Sequence, residues 1–168
     1  QTVSVTTTDD DVAGFTVAET GGSTSVDESG TTDTFTVVLD AQPVSNVVLS
    51  ISSSDSGEAT TTSLLTFTSA NWDTAQTVTV TGADDDLIDG TITSTLTLAV
   101  VGAITDDDFD AVNDQTVSIT TTDDDVAGFT ITETDGSTSV GESGTTDTFT
   151  VVLDAEPDSD VVLSISSS

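Results

Sequence analysis

The sequence predicts an all-β chain folded as an antiparallel sandwich, and three observations carry that expectation. Apolar and polar residues alternate with period two in segment after segment, and no stretch shows a helical stripe. Threonine crowds the opposite faces, as half-exposed strands rich in β-branched residues require. Residues 1–54 reappear as 115–168 with eight differences, at positions 5, 17, 18, 21, 27, 42, 44 and 46, an offset of 114. A period that long exceeds a solenoid unit and fits a whole all-β domain.

Alternation marks seven strands in one period. The first spans about 14–20, with Phe15 and Val17; the second 33–40, where Phe35, Val37 and Leu39 share a face. The third, 46–53, carries Val47, Leu49 and Ile51, and the fourth, 62–68, carries Leu65 and Phe67. Then follow 76–82 (Val78, Val80), 91–101 (Leu96, Leu98, Val100) and 115–122 (Val117, Ile119). Seven short antiparallel strands in a period of this size read as an immunoglobulin-like sandwich, repeated in tandem every 114 residues. In this phase residues 1–11 are the final strand of a preceding repeat, 12–125 a complete repeat, and 126–168 the first three strands of the next. Both incomplete pieces expose sheet edges. They are expected to be completed by neighbouring repeats of the same chain, or by identical subunits head to tail. Trp72, the only Trp, sits in a turn and is expected to cap one end of the core.

The charge is one-sided. There are 31 Asp and Glu and no Lys, Arg or His, a formal charge of −31, so no side-chain ion pair exists anywhere. Two carboxylates about 4 Å apart repel by roughly 4 kcal/mol at an effective dielectric near 20. A domain is stable by only about 5–15 kcal/mol in all. A bound cation reverses the sign of that repulsion. Nucleic acid is excluded as a partner, since phosphate contacts need Lys and Arg. No run of about 18 apolar residues exists, so no membrane span is expected. The chain has no Cys, hence no disulfides. With His, Cys, Lys, Arg and Tyr all missing, acid–base chemistry would rest on carboxylates alone, and the chain is not expected to be an enzyme.

The acidic residues are clustered where strands end. Asp84, Asp85, Asp86 and Asp89 follow the strand 76–82; Asp9, Asp10 and Asp11, and likewise Asp123, Asp124 and Asp125, close strand-like segments. A disordered acidic tail would lack the aliphatic alternation that flanks each run. Following seven strands up and down brings the 1–2, 3–4 and 5–6 loops and the tail of strand 7 to one pole. That pole holds Glu28, Asp55 (with Glu58), Asp84, Asp85, Asp86, Asp89, Asp123, Asp124 and Asp125. Calcium takes six to eight oxygen ligands, mostly carboxylates and carbonyls, and fits such a set. Zinc, iron and copper call for His or Cys, and magnesium keeps more water. The EF-hand pattern is absent, because Asp84–Asp89 lacks the alternate-position ligands and the distal Glu.

These residues bring a family into view. Leu65-Thr66-Phe67-Thr68, Asn71-Trp72, Gln76-Thr77-Val78-Thr79-Val80-Thr81-Gly82, Asp84-Asp85 and Asp89-Gly90 resemble the Calx-β domain, in the tandem form of large bacterial surface and matrix proteins. Thr116-Val117-Ser118-Ile119 leading to Asp123-Asp124-Asp125 resembles the family's closing strand and acidic linker. Val26-Asp27-Glu28-Ser29-Gly30, and its copy Val140-Gly141-Glu142-Ser143-Gly144, match its acidic motif after the first strand. The resemblance implies calcium at the acidic pole. It implies as ligands Glu28, Asp55, Asp84, Asp85, Asp86, Asp89, Asp123, Asp124 and Asp125, with the Leu87 carbonyl, and Glu142 in the second copy. The loop 102–114 is longer and more acidic than the family motif requires, and the basic residues common in the family are missing.

That loop carries Asp106, Asp107, Asp108 and Asp110. It is expected at the opposite pole, facing Asp9, Asp10 and Asp11 of the preceding repeat, where a shared calcium would stiffen the linker Val12-Ala13-Gly14. The function these features imply is a calcium-binding structural repeat of an extracellular adhesin, matrix fibre or filament. The alternative is a calcium-dependent glycan- or surface-binding module built on the metal or on Trp72.

Overall fold

The computed structural model describes residues 1–167. The chain divides into two bodies, one of Gln1–Asp84 with Thr91–Thr122, the other of Asp85–Gly90 with the residues from Asp123 onward. Among the described residues the first body holds nine strands: β1 (Phe15–Glu19), β2 (Thr24–Asp27), β3 (Thr32–Leu39), β4 (Val47–Ser53), β5 (Ala59–Thr61), β6 (Leu64–Phe67), β7 (Gln76–Gly82), β8 (Ile92–Val100) and β9 (Gln115–Thr122). They form two sheets, in the orders β1-β3-β7-β5 and β2-β9-β8-β4-β6. The inward residues of both sheets make one core. Phe35, Val37, Val78 and Val80 come from the first sheet, and Leu49, Leu96, Leu98 and Ile119 from the second; all eight are fully buried. This is an all-β sandwich. Period-two alternation is its direct cause, because each strand offers one apolar face and the two sheets cover each other.

Two strands depart from the predicted seven, and both corrections have a physical reason. The predicted first strand, 14–20, is β1, and an unpredicted strand follows it. After β1 the chain turns through Gly21 and Gly22, at φ +74° and +85°, a region that favours glycine. It then joins the other sheet as β2, which pairs with β9 in parallel, Thr24 opposite Ile119 and Asp27 opposite Thr122. The sandwich is therefore mixed, not purely antiparallel. β2 hides in the sequence because Val26 is its only aliphatic residue; Thr24 is buried as if it were another. β5 is three residues long, too short for alternation to register, and pairs with β7. The loop 102–114 is also more ordered than expected. It forms tight turns at Gly102–Ile104 and Asp107–Phe109, and Phe109 inserts into the core at 2% exposure.

Trp72 packs against the core, and its carbonyl accepts a hydrogen bond from the Leu39 N–H at 3.1 Å, so the structural role predicted for it holds. Gln76 and Gln42 side-chain amides close the same region by donating to the Thr66 and Ser69 carbonyls, each at 2.8 Å. Residues 1–14 carry no strand.

The second body contains the hairpin of β10 (Phe129–Glu133) and β11 (Phe149–Leu153). Its register, Phe129 opposite Leu153 through Glu133 opposite Phe149, repeats that of β1 and β3, Phe15 opposite Leu39 through Glu19 opposite Phe35. Side-chain bonds repeat with it: Thr16 Oγ1 donates to Asp40 and Thr130 Oγ1 to Asp154, both at 2.8 Å. At the turn, Asp135 replaces Gly21 and keeps φ positive, at +57°, a conformation Asp tolerates better than most residues. The sequence copy is thus a local structural copy. Its apolar residues are not buried, however: Phe129 and Ile131 are 50% and 55% exposed, against 2% for Phe15.

Candidate metal centre

Glu28 stands one residue beyond β2 and continues its inward face, so that Thr24, Val26 and Glu28 are all buried. The Glu28 N–H donates to the Thr122 carbonyl at 3.1 Å, extending the β2–β9 ladder by one rung. Asp27, on the outward side, is tied down by Thr122 Oγ1 at 2.9 Å and by the Ser29 N–H at 3.0 Å. The Ser29 side chain, then its N–H, then Thr122 hold the Asp27 carboxyl below its ordinary value. Glu58 enters from the β4–β5 connection. Its carbonyl accepts from the Ala83 N–H at 2.9 Å.

Glu28 is 1% exposed and Glu58 5%, and their carboxylate oxygens lie within 4.8 Å of each other. Burying one carboxylate is costly, and burying two side by side adds their repulsion. A chain without Lys, Arg or His has no side-chain cation to offset either term. Two buried oxygen donors at this spacing could both reach one metal ion.

Other predicted ligands of the first body stand apart from that pair. Asp55 is exposed, and its carboxylate accepts from the Gly57 N–H at 3.0 Å, forming the turn that delivers Glu58. Glu58, not Asp55, is therefore the buried carboxylate of this loop. It was legible only as a neighbour of Asp55, because β5, which fixes its direction, was not. Asp84 is exposed.

In the second body, Asp85 and Asp125 are half-buried and also bring carboxylate oxygens within 4.8 Å. Their surroundings are ordered by short-range bonds. The Leu87 N–H donates to Asp85 at 2.8 Å; Asp123 accepts from the Asp125 N–H at 2.7 Å and from the Gly90 N–H at 2.8 Å. The Asp86 carbonyl accepts from the Glu156 N–H at 2.7 Å, beside a bridge between Leu87 and Glu156. Asp86, Asp89, Asp124 and Glu142 are exposed.

Asp106 is a different kind of carboxylate. It is 3% exposed and accepts from the Ser45 N–H at 2.7 Å, Ser45 Oγ at 3.2 Å and the Asp108 N–H at 3.2 Å. Its oxygens pin the β3–β4 loop and cap the turn that inserts Phe109. The Ser45 N–H is the main influence holding its carboxyl below the ordinary 3.8. A depressed folded-state value gives stability that is full above the unfolded value and is lost as pH falls through the folded one. Asp106→Asn should therefore lower the melting temperature at neutral pH and flatten its decline as pH falls below about 4. Melting curves across that range check both slopes. Asp107, Asp108 and Asp110 are exposed, while Asp9, Asp11 and Asp108 line one depression together with Gln42, Pro43 and Phe109. Asp10 is exposed nearby in sequence, and Asp9 accepts from the Asp11 N–H at 3.1 Å.

Among the described residues no helix is long and apolar enough to cross a membrane. His, Cys, Lys, Arg and Tyr are missing from the chain, so carboxylates are its only side chains able to act as acid or base near neutral pH.

Comparison with known proteins is sparse. No protein-family model matches the chain, and no curated protein does. The chain has a distant likeness in fold to β-sandwich structures. One is SSP-19, an MSP-domain-like protein of Caenorhabditis elegans, 17% identical with a TM-score of 0.43, covering 60% of this chain and 94% of that one. A second is the E. coli chaperone DraB, 9% identical with a TM-score of 0.49, covering 70% of this chain and 59% of DraB. A third is the apo form of the Calx CBD1 domain, 13% identical with a TM-score of 0.42, covering 66% and 98%. The resemblance to the Calx-β family is one of sequence motifs.

Proposed function

We propose that this chain is a calcium-binding structural repeat of an extracellular adhesin, matrix fibre or filament, of Calx-β type, in which calcium offsets the charge of the acidic pole and stiffens junctions between repeats. The observation that carries the reading is the Glu28–Glu58 pair, two buried carboxylates within 4.8 Å in a chain with no side-chain cation. Glu28 and Glu58 would hold the ion in the first body. Asp85 and Asp125 would hold one in the second, with Asp123 positioned by Gly90 and Asp125. The bound ion supplies the positive charge that no residue of this chain can.

The domain reading is that 12–125 is a complete repeat of 114 residues, that 1–11 closes a preceding repeat, and that 126–168 opens the next. The repeated hydrogen bonds of β1–β3 and β10–β11 support it. The shared depression of Asp9, Asp11 and Asp108 supports a second, junctional ion site beside the linker Val12-Ala13-Gly14. The glycan-binding alternative would draw on Trp72, which is packed against the core instead.

Thermal melts in calcium, in magnesium and in chelator test the proposal. An ion present at a hundred times its Kd stabilises by about 2.7 kcal/mol. For a domain of this size that is a rise in Tm of about 10 °C. Calcium should produce it and magnesium much less. Identical melting temperatures in all three conditions would refute the calcium reading.

A further inference from the structure

We infer that the side-chain amides of Gln76 and Gln115 close the edge strands β6 and β1 against a strand of another copy of this chain, and that losing either amide opens its edge to pairing. In the orders of the two sheets β1 ends the first and β6 ends the second, each bonded to one neighbouring strand among the described residues. An edge strand carries a row of outward N–H and C=O groups, a template for a further strand. Which groups point outward follows from the antiparallel ladder, in which successive residues alternate between facing the partner and facing away. The Ile51 N–H donates to the Ser63 carbonyl at 2.8 Å, and β4 and β6 keep that register, with Leu49 opposite Leu65 and Val47 opposite Phe67. Leu64 and Thr66 therefore turn their backbone groups away from β4. The Asp40 N–H donates to the Gly14 carbonyl at 2.9 Å, beside Phe15 opposite Leu39, so Phe15 and Val17 turn theirs away from β3.

At each edge an outward carbonyl is already taken, and by a side chain from the opposite sheet. The Gln76 amide, on the first residue of β7, donates to the Thr66 carbonyl at 2.8 Å. The Gln115 amide, on the first residue of β9, donates to the Phe15 carbonyl. A strand added beside β6 or β1 needs those acceptors for its own N–H groups, and the amide stands in its place. Neither edge strand has a Lys or Pro, residues that commonly guard an edge. The chain needs some guard, because its strands are rich in threonine and valine and recur nearly unchanged at an offset of 114. The net charge of −31 keeps copies apart only while it is unscreened, and about 1 M salt shortens the screening length to about 3 Å. The amides are neutral and act at any ionic strength. This inference stands apart from the calcium reading.

Met in place of Gln keeps the length of the side chain and removes the donor. Gln76→Met and Gln115→Met are each compared with the unaltered chain and with Gln42→Met, in low salt and in about 1 M salt. The Gln42 amide also donates at 2.8 Å, to the carbonyl of Ser69, which lies outside the strands; its loss removes a like bond without opening an edge. Sedimentation velocity is expected to show the unaltered chain and Gln42→Met at one size in both conditions. In high salt the associated fraction of each edge variant should rise at least about tenfold. Hydrogen exchange then locates the contact: protection should increase at the Leu64 and Thr66 amides in associated Gln76→Met, and at the Val17 amide in associated Gln115→Met. Edge variants that stay the size of the unaltered chain, association that Gln42→Met matches, or association without protection at these amides would each overturn the inference. Unfolding of both edge variants in low salt would make the amides purely structural and overturn it as well.

Discussion

Glu58→Gln should change sign with the metal. In chelator the substitution is expected to raise the melting temperature, and in calcium to lower it below that of the unaltered protein. Both halves follow from one geometry. With carboxylate oxygens within 4.8 Å of each other and both groups buried, two ionised carboxylates repel by about 3 kcal/mol at an effective dielectric near 20. An amide of nearly the same shape removes that repulsion. It also removes a charged donor from the ion, so the calcium-bound form loses what the metal-free form gains. An increase of several degrees in chelator and a calcium response reduced to a few degrees are the expected readings. A purely structural Glu58 would give a loss in both conditions.

Gly82→Ala should be the most damaging small substitution in the sandwich. A Cβ at position 82 would lie 2.0 Å from the Asp27 carbonyl oxygen and 2.8 Å from its carbon, both backbone atoms that no rotamer change can move. Gly82 is the last residue of β7 and lies against the Asp27 backbone at the end of β2, one residue before Glu28. Ala at this point must push β2 away from the first sheet and loosen the Glu28 N–H bond to Thr122. We expect a loss of ~3 kcal/mol, about 10–15 °C in Tm, together with weaker calcium binding. Gly30→Ala makes a useful contrast. Its added Cβ meets nothing within 4 Å, but its φ of +87° strains any L side chain. It should therefore cost stability, about 1 kcal/mol, without displacing Glu28.

The long strands were legible because their physics is local. β3, β7, β8 and β9 each present two or more aliphatic or aromatic residues at period two, and their bounds agree with the sequence reading to within one residue. β2 and β5 were not legible, because what makes them strands is their neighbours. Thr24 is interior only since β9 lies beside it, and Ala59–Thr61 pairs only since Gly82–Val80 lies opposite. The parallel pairing of β2 was hidden for the same reason: it depends on a change of sheet at Gly21–Gly22. The candidate metal centre divides along similar lines. Carboxylates at strand ends were visible as a group, but their burial was not. Glu28 is buried by an alternation that begins in an unrecognised strand, and Glu58 by a turn that Asp55 caps. Asp106 reads as a ligand by composition, and its geometry makes it an acceptor for Ser45 and Asp108. Phe109, flanked by Asp108 and Asp110, gave no sign that it closes the core.

The most direct test of the central claim is a calorimetric titration of the chain with calcium, in parallel with the double substitution Glu28→Gln, Glu58→Gln. The account predicts saturable binding to the unaltered chain and a loss of at least tenfold in affinity, or of one site from the stoichiometry, in the doubly substituted one. Binding that is unchanged by removing both buried carboxylates, or no saturable binding to either protein, would contradict it.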